Sequence, residues 1–144
     1  MRVLLQSWQL WALLSAVFAA LTAILAKVGV AGIGSDLATF IRTAVVLVAL
    51  AGILTLTGEW QQPEAVPGRS WLFLGLSGLA TGASWLCYFR ALKIGDAARV
   101  APVDKLSVVF VAVFAVLFLG ESLTARGWAG VGLITAGAIL MALG

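Results

Sequence analysis

The sequence predicts an all-α membrane protein with five transmembrane helices. Three observations carry that expectation. The chain has 144 residues, of which 62% are hydrophobic and only 10% charged, with a mean hydropathy of +1.12. Globular chains run at about 45–50% apolar and about 25% charged. The apolar residues gather into five runs, each close to the about 20 residues that cross a hydrocarbon core. The polar residues fall in the breaks between them. Lipid offers backbone groups no partner, so each run must close its own hydrogen bonds as a helix. Five runs of this length leave no room for a closed barrel.

The first span is "WQLWALLSAVFAALTAILAKV", residues 8–28. Arg2 and the apolar residues after it loosely fit a secretory leader, but the run is long enough to span and more membrane comes after it. "GVAGIGSD" then supplies glycines for a turn, with Ser35 or Asp36 expected to cap the second span, residues 37–57. "GEWQQPEAVPGRS" is the long polar loop and holds two of the three prolines. The third span covers 71–92, "KIGDAAR" turns the chain, and the fourth covers 100–119 with Pro102 in its first turn. "GESLTAR" stops and restarts it, and the fifth span covers 127–143. Together these form a single transmembrane domain over 8–143, with no repeat, low-complexity tract or appended soluble domain.

An odd number of spans puts the termini on opposite sides. The N-terminal side, side A, holds Arg2, Arg69 and Arg126. Side B holds Lys27, Arg42, Arg90, Lys93, Arg99 and Lys105, which at face value makes it cytoplasmic. Arg42 and Lys105 lie within helices, however, and without them the count is four to three, which leaves fixed and dual orientation both open. Trp8, Trp11, Trp60, Trp71 and Trp128 fall near side A as an interfacial aromatic belt. Trp85 departs from it, lying 14 residues after Trp71, about 21 Å along the helix.

Much chemistry is excluded. Histidine is absent, Cys87 is the single cysteine, and no GxSxG, HExxH, CxxC or P-loop occurs. No catalytic residue, metal site or cofactor is expected, and a net charge of +3 gives no reason to expect nucleic acid. The residues that could handle a solute are Arg42, Trp85, Tyr88, Asp104 and Lys105. Lys105 would lie about 7.5 Å and Arg42 about 8 Å in from side B, where an unpaired charge costs several kcal/mol. A shared polar pocket with an Arg42–Asp104 ion pair is the economical arrangement. The competing reading has Arg42 and Lys105 snorkelling to the interface and Asp104 complementing a helix dipole. Trp85 and Tyr88 are three apart and share a helix face, with Thr81 one turn earlier, an aromatic wall suited to an amphipathic solute; packing between helices would use the same residues. Gly75, Gly78 and Gly82, and Gly127, Gly130, Gly132 and Gly137, would allow close helix approach.

The stretch "YFRALKIGDAARVAPVDKLSVVFVAVFAVLFLGESLT" resembles the end of an EamA domain of the drug/metabolite transporter superfamily. The matching features are an aromatic third helix ending in A-L-x-x-G, a proline-containing fourth helix, "FLGE", and a fifth helix rich in small residues. "LATFIRTAVVL" looks like the family's second helix, with its arginine at Arg42. The resemblance covers nearly the whole chain. It implies a secondary transporter in a bacterial-type inner membrane, exporting a small metabolite or amphipathic organic compound by alternating access. Many members carry two such five-helix domains in inverted orientation, so a one-domain chain implies a homodimer; an antiparallel pair would recreate the inverted repeat. The small multidrug members use a carboxylate in the first helix, whereas this first helix offers Ser15, Thr22 and Lys27. If transport is coupled to protons, Asp104 is the candidate carboxylate. The alternative is a non-transporting membrane subunit, or half of a lipid-carrier flippase that needs another partner chain.

Overall fold

The computed structural model describes residues 7–144. Arg2, counted above among the side A charges, lies outside the described residues. The helices are α1 (Trp8–Gly29), α2 (Ser35–Thr57), α3 (Gly68–Ile94), α4 (Ala97–Asp104), α5 (Ser107–Phe118) and α6 (Ala125–Leu143), with a 3-10 turn at Pro63–Ala65. No strand occurs among the described residues. Five segments are long and apolar enough to cross a membrane: α1, α2, α3, α6, and α4 with α5 taken together as Ala97–Phe118. Their large apolar side chains lie mostly on the outside, Leu56 at 89% and Leu133 at 75% exposed, as lipid-facing residues should.

The chain divides into two compact units, residues 28–93 and residues 1–27 with 94–144. In the first, α2 begins after Gly34, whose extended backbone forms the N-cap without a side-chain bond. Ser35 and Asp36, expected as caps, therefore lie inside the first turn. At the other end Gly58 adopts a left-handed backbone, φ +69°, and turns its N–H onto the Leu54 carbonyl. Thr39, Thr43, Thr55 and Thr81 each donate their hydroxyl to the carbonyl four residues earlier, at 2.8–2.9 Å. That local bond lets a hydroxyl sit in a span without a distant partner. A Cβ placed on Gly75, Gly78 or Gly82 would meet nothing within 4 Å in this unit, so the close approach expected there is not made within it.

In the second unit α6 packs against both α4 and α5. Thr124 caps α6, its hydroxyl accepting the Gly127 N–H at 3.2 Å. Gly127 is tight, since a Cβ there would stand 2.9 Å from Leu123 Cγ. The fourth span, expected as one continuous helix, is two. α4 starts at Ala97, so Pro102 is its sixth residue instead of a first-turn residue. Its missing N–H leaves the carbonyl of Ala98 without its helical donor. Just beyond it the ladder tightens: Leu106 N–H bonds the Val103 carbonyl, Val108 the Lys105 carbonyl and Val109 the Leu106 carbonyl, each over three residues.

Candidate functional site

Arg42 and Trp85 meet within the unit 28–93. The guanidinium carbon of Arg42 stands 3.9 Å from the Trp85 ring centroid and 5.6 Å from that of Phe89. Both distances fall within the about 6 Å at which a cation is held over an aromatic face. Trp85 and Phe89 are four apart on α3 and present one face; Phe89 is only 3% exposed. Tyr88 is half-buried on the same helix and near enough to interact with the Arg42 charge. Arg42 itself lies seven residues into α2, about 10 Å along its axis. Within the unit its N–H groups donate to no acceptor, and the hydroxyls of Thr39, Thr43 and Thr81 donate their protons within their own helices.

A second contact ties the same two helices together. Arg90 Nε and Nη2 donate to Asp36 Oδ1 and Oδ2 at 3.2 and 2.9 Å, a two-pronged fork. Ser35 Oγ donates to Asp36 Oδ1 at 3.1 Å, and Lys93 Nζ donates to the Ile33 carbonyl at 2.7 Å. From sequence, Asp36 and Arg90 register only as a cap candidate and a side B charge, and Phe89 goes unremarked. The spacing of Phe89 from Trp85 could have revealed it. The Arg90–Asp36 pair is 54 residues apart and leaves no local signal.

Asp104 and Lys105 lie in the other unit, at the break in the fourth span. Because α4 starts at Ala97, Asp104 is seven residues into it, about 10 Å along its axis. This is deeper than expected. Lys105 Nζ approaches Asp104 Oδ2 at 3.5 Å, with the Asp104 side chain 35% exposed. At that distance the contact is loose. Arg42 and Asp104, expected to pair, belong to different units, and each has another neighbour in its own: Trp85 for Arg42, Lys105 for Asp104. Elsewhere in this unit cations close carbonyls at helix ends, Lys27 Nζ on Gly95 at 2.7 Å and Arg99 Nη2 on Gly144 at 2.8 Å. No cluster of three or more metal-ligating side chains forms among the described residues.

Residues 6–143 match the EamA-like transporter family. The chain belongs to that family. A relative from Sinorhizobium sp., described as an uncharacterized transporter in the cobO 3' region, is 69% identical over 138 residues, covering 96% of this chain and 98% of its own length. No solved structure matches. This EamA-like protein is thus a multi-pass membrane transporter, and its natural setting is a lipid bilayer with a small-molecule substrate.

Proposed function

We propose that this EamA-like protein exports a small metabolite or amphipathic organic compound across a bacterial-type inner membrane, working by alternating access as a homodimer. The observation that carries the reading is the stack of Arg42 on Trp85 and Phe89 inside two spans. A charge held at that depth is expensive unless it meets a solute or water, and an aromatic wall beside it suits an apolar body. Arg42, Trp85 and Tyr88 bind the substrate in this reading. Asp104, with Lys105 beside it, is the coupling group, placed where a helix break frees backbone carbonyls as in other discontinuous transporter helices. An antiparallel pairing of two copies would rebuild an inverted repeat, and the two halves would rock about the bound solute.

Transport in proteoliposomes tests the reading. Arg42→Ala and Asp104→Asn should each abolish solute movement while leaving an inserted dimer of normal size in detergent. Normal transport by either variant would remove that residue from the site. The dimer is tested by topology, with single cysteines at Gln62 and Ala97 in a Cys87→Ser background. Labelling of both positions from outside, each in about half the molecules, supports an antiparallel pair. Labelling of one position alone fixes the orientation and rules the antiparallel pair out.

A further inference from the structure

The cations that the sequence assigns to side B are Lys27, Arg42, Arg90, Lys93, Arg99 and Lys105. Five of them have an oxygen acceptor in their own unit. Lys27, Lys93 and Arg99 donate to the carbonyls of Gly95, Ile33 and Gly144, and Arg90 and Lys105 face Asp36 and Asp104. Arg42 is the exception. Its unit gives it aromatic faces and no oxygen acceptor among the described residues. The rings meet the charge of the guanidinium but offer its N–H groups no oxygen. The N–H donors of that group lie in its plane and point outward from its edge. The aromatic contacts therefore hold the charge in place and leave the hydrogen-bonding edge without an oxygen within the unit.

That edge has one preferred complement. A planar fork of N–H donors matches two oxygens of a carboxylate or phosphate, and a desolvated guanidinium gains far more from an oxyanion than from a hydroxyl or an amide. A cationic solute would be repelled. A neutral amphiphile would fill the aromatic wall and leave the charge uncompensated at a depth where that is costly. We infer that the substrate carries an oxyanion, a carboxylate or phosphate joined to an apolar body, and that Arg42 takes the oxyanion through its N–H edge while Trp85 and Phe89 lie against its charge. The assignment rests on the transport reading above and narrows its substrate class.

The full chain in phosphatidylcholine vesicles offers a direct readout, because Trp85 is the one tryptophan in contact with Arg42 among the described residues. Trp8, Trp11, Trp60, Trp71 and Trp128 are changed to phenylalanine so that emission reports Trp85 alone. The probes share a phenyl body: phenylacetate, phenyl phosphate, 2-phenylethanol and 2-phenylethylamine. Both anions should shift Trp85 emission saturably and the alcohol and amine should not. Arg42→Gln should lose the response, and Arg42→Lys, which keeps the charge but not the fork, should bind roughly tenfold more weakly. The lysine variant guards against a glutamine variant that fails to fold. An equal response to the alcohol or amine, no saturable response to either anion, or a response that survives Arg42→Gln overturns the assignment. Vesicles containing phosphatidylglycerol separate a solute from a lipid headgroup. If anionic lipid alone shifts the emission and the two anionic probes then add nothing, the edge belongs to a headgroup and the substrate assignment fails. A protein that binds the anions yet moves no solute would sink the transport reading and leave this one standing. One that moves the alcohol or amine as fast as the anions would do the reverse.

Discussion

The two units spend their charges differently. In residues 28–93 charged side chains reach across from helix to helix, Arg90 to Asp36 and Arg42 to the rings of α3. In the unit built from α1 and α4–α6, Lys27 and Arg99 close backbone carbonyls, and Asp104 and Lys105 face each other as chain neighbours. The helices show the same division. α2 and α3 run unbroken through 23 and 27 residues, whereas the fourth span is cut in two by a turn at Lys105 and Leu106. The jointed span is nonetheless well packed, with α6 lying against both α4 and α5.

The largest effect should come from setting one arginine of each unit against the other. Arg42→Ala should lower transport by roughly a hundredfold or more if this charge meets an oxyanion as proposed. Arg99→Ala, which uncovers only a terminal carbonyl, should change transport by less than about twofold. Equal losses would remove the contrast between an arginine held on rings and one that closes a carbonyl. Next in size is a matched pair of glycines. Gly58 and Gly120 have φ of +69° and +68°, one in each unit, and a Cβ on either would meet nothing within 4 Å. Each alanine substitution should cost about 1–2 kcal/mol from backbone conformation alone, read as similar drops in thermal stability. A markedly larger drop at one would show that its unit tolerates less strain.

Helix starts give a smaller contrast. Thr124→Ala removes the side-chain bond that caps α6 and should cost about 1 kcal/mol. Gly34→Ala, at a cap that makes no such bond, should cost a few tenths. The smallest effect belongs to the Arg90–Asp36 fork, whose side chains are 62% and 59% exposed. Asp36→Ala and Arg90→Ala should each produce a slight loss of thermal stability, and the double variant no more than either, since both remove one interaction. Lys27→Ala and Arg99→Ala, with separate carbonyls, should add. Additive losses for Asp36 and Arg90 would mean that the fork does not hold α2 to α3.

These contrasts track how far each feature can be read from residues alone. The spans are legible because a hydrocarbon core demands unbroken apolar length, and Trp85 stands out because it lies about 21 Å from the belt that absorbs the other tryptophans. Arg42 is legible for the same reason, being a charge in oil. Its partner is not. The ring pair Trp85 and Phe89 is implied by helical spacing, but which helix faces that pair depends on packing between segments 43 or more residues apart. The cap of α2 differs from expectation by one residue, because Ser35 and Asp36 both favour caps while Gly34 offers no side chain to signal one. The break in the fourth span is hidden by its proline. Placed in a first turn, Pro102 is harmless; with the helix beginning three residues earlier, the same proline falls in its interior and loosens the turn beyond it.

That break should leave a trace in time as well as in space. Amide protons within an intact span exchange with solvent only when the ladder opens, and α2 and α3 should protect theirs nearly uniformly along their middles. At Leu106, Val108 and Val109 the bonds close over three residues in place of four, with poorer geometry. The fourth span should therefore show a dip in protection at its centre, with slower amides on both flanks, so that deuterium enters the middle of this helix before it enters the middle of its neighbours.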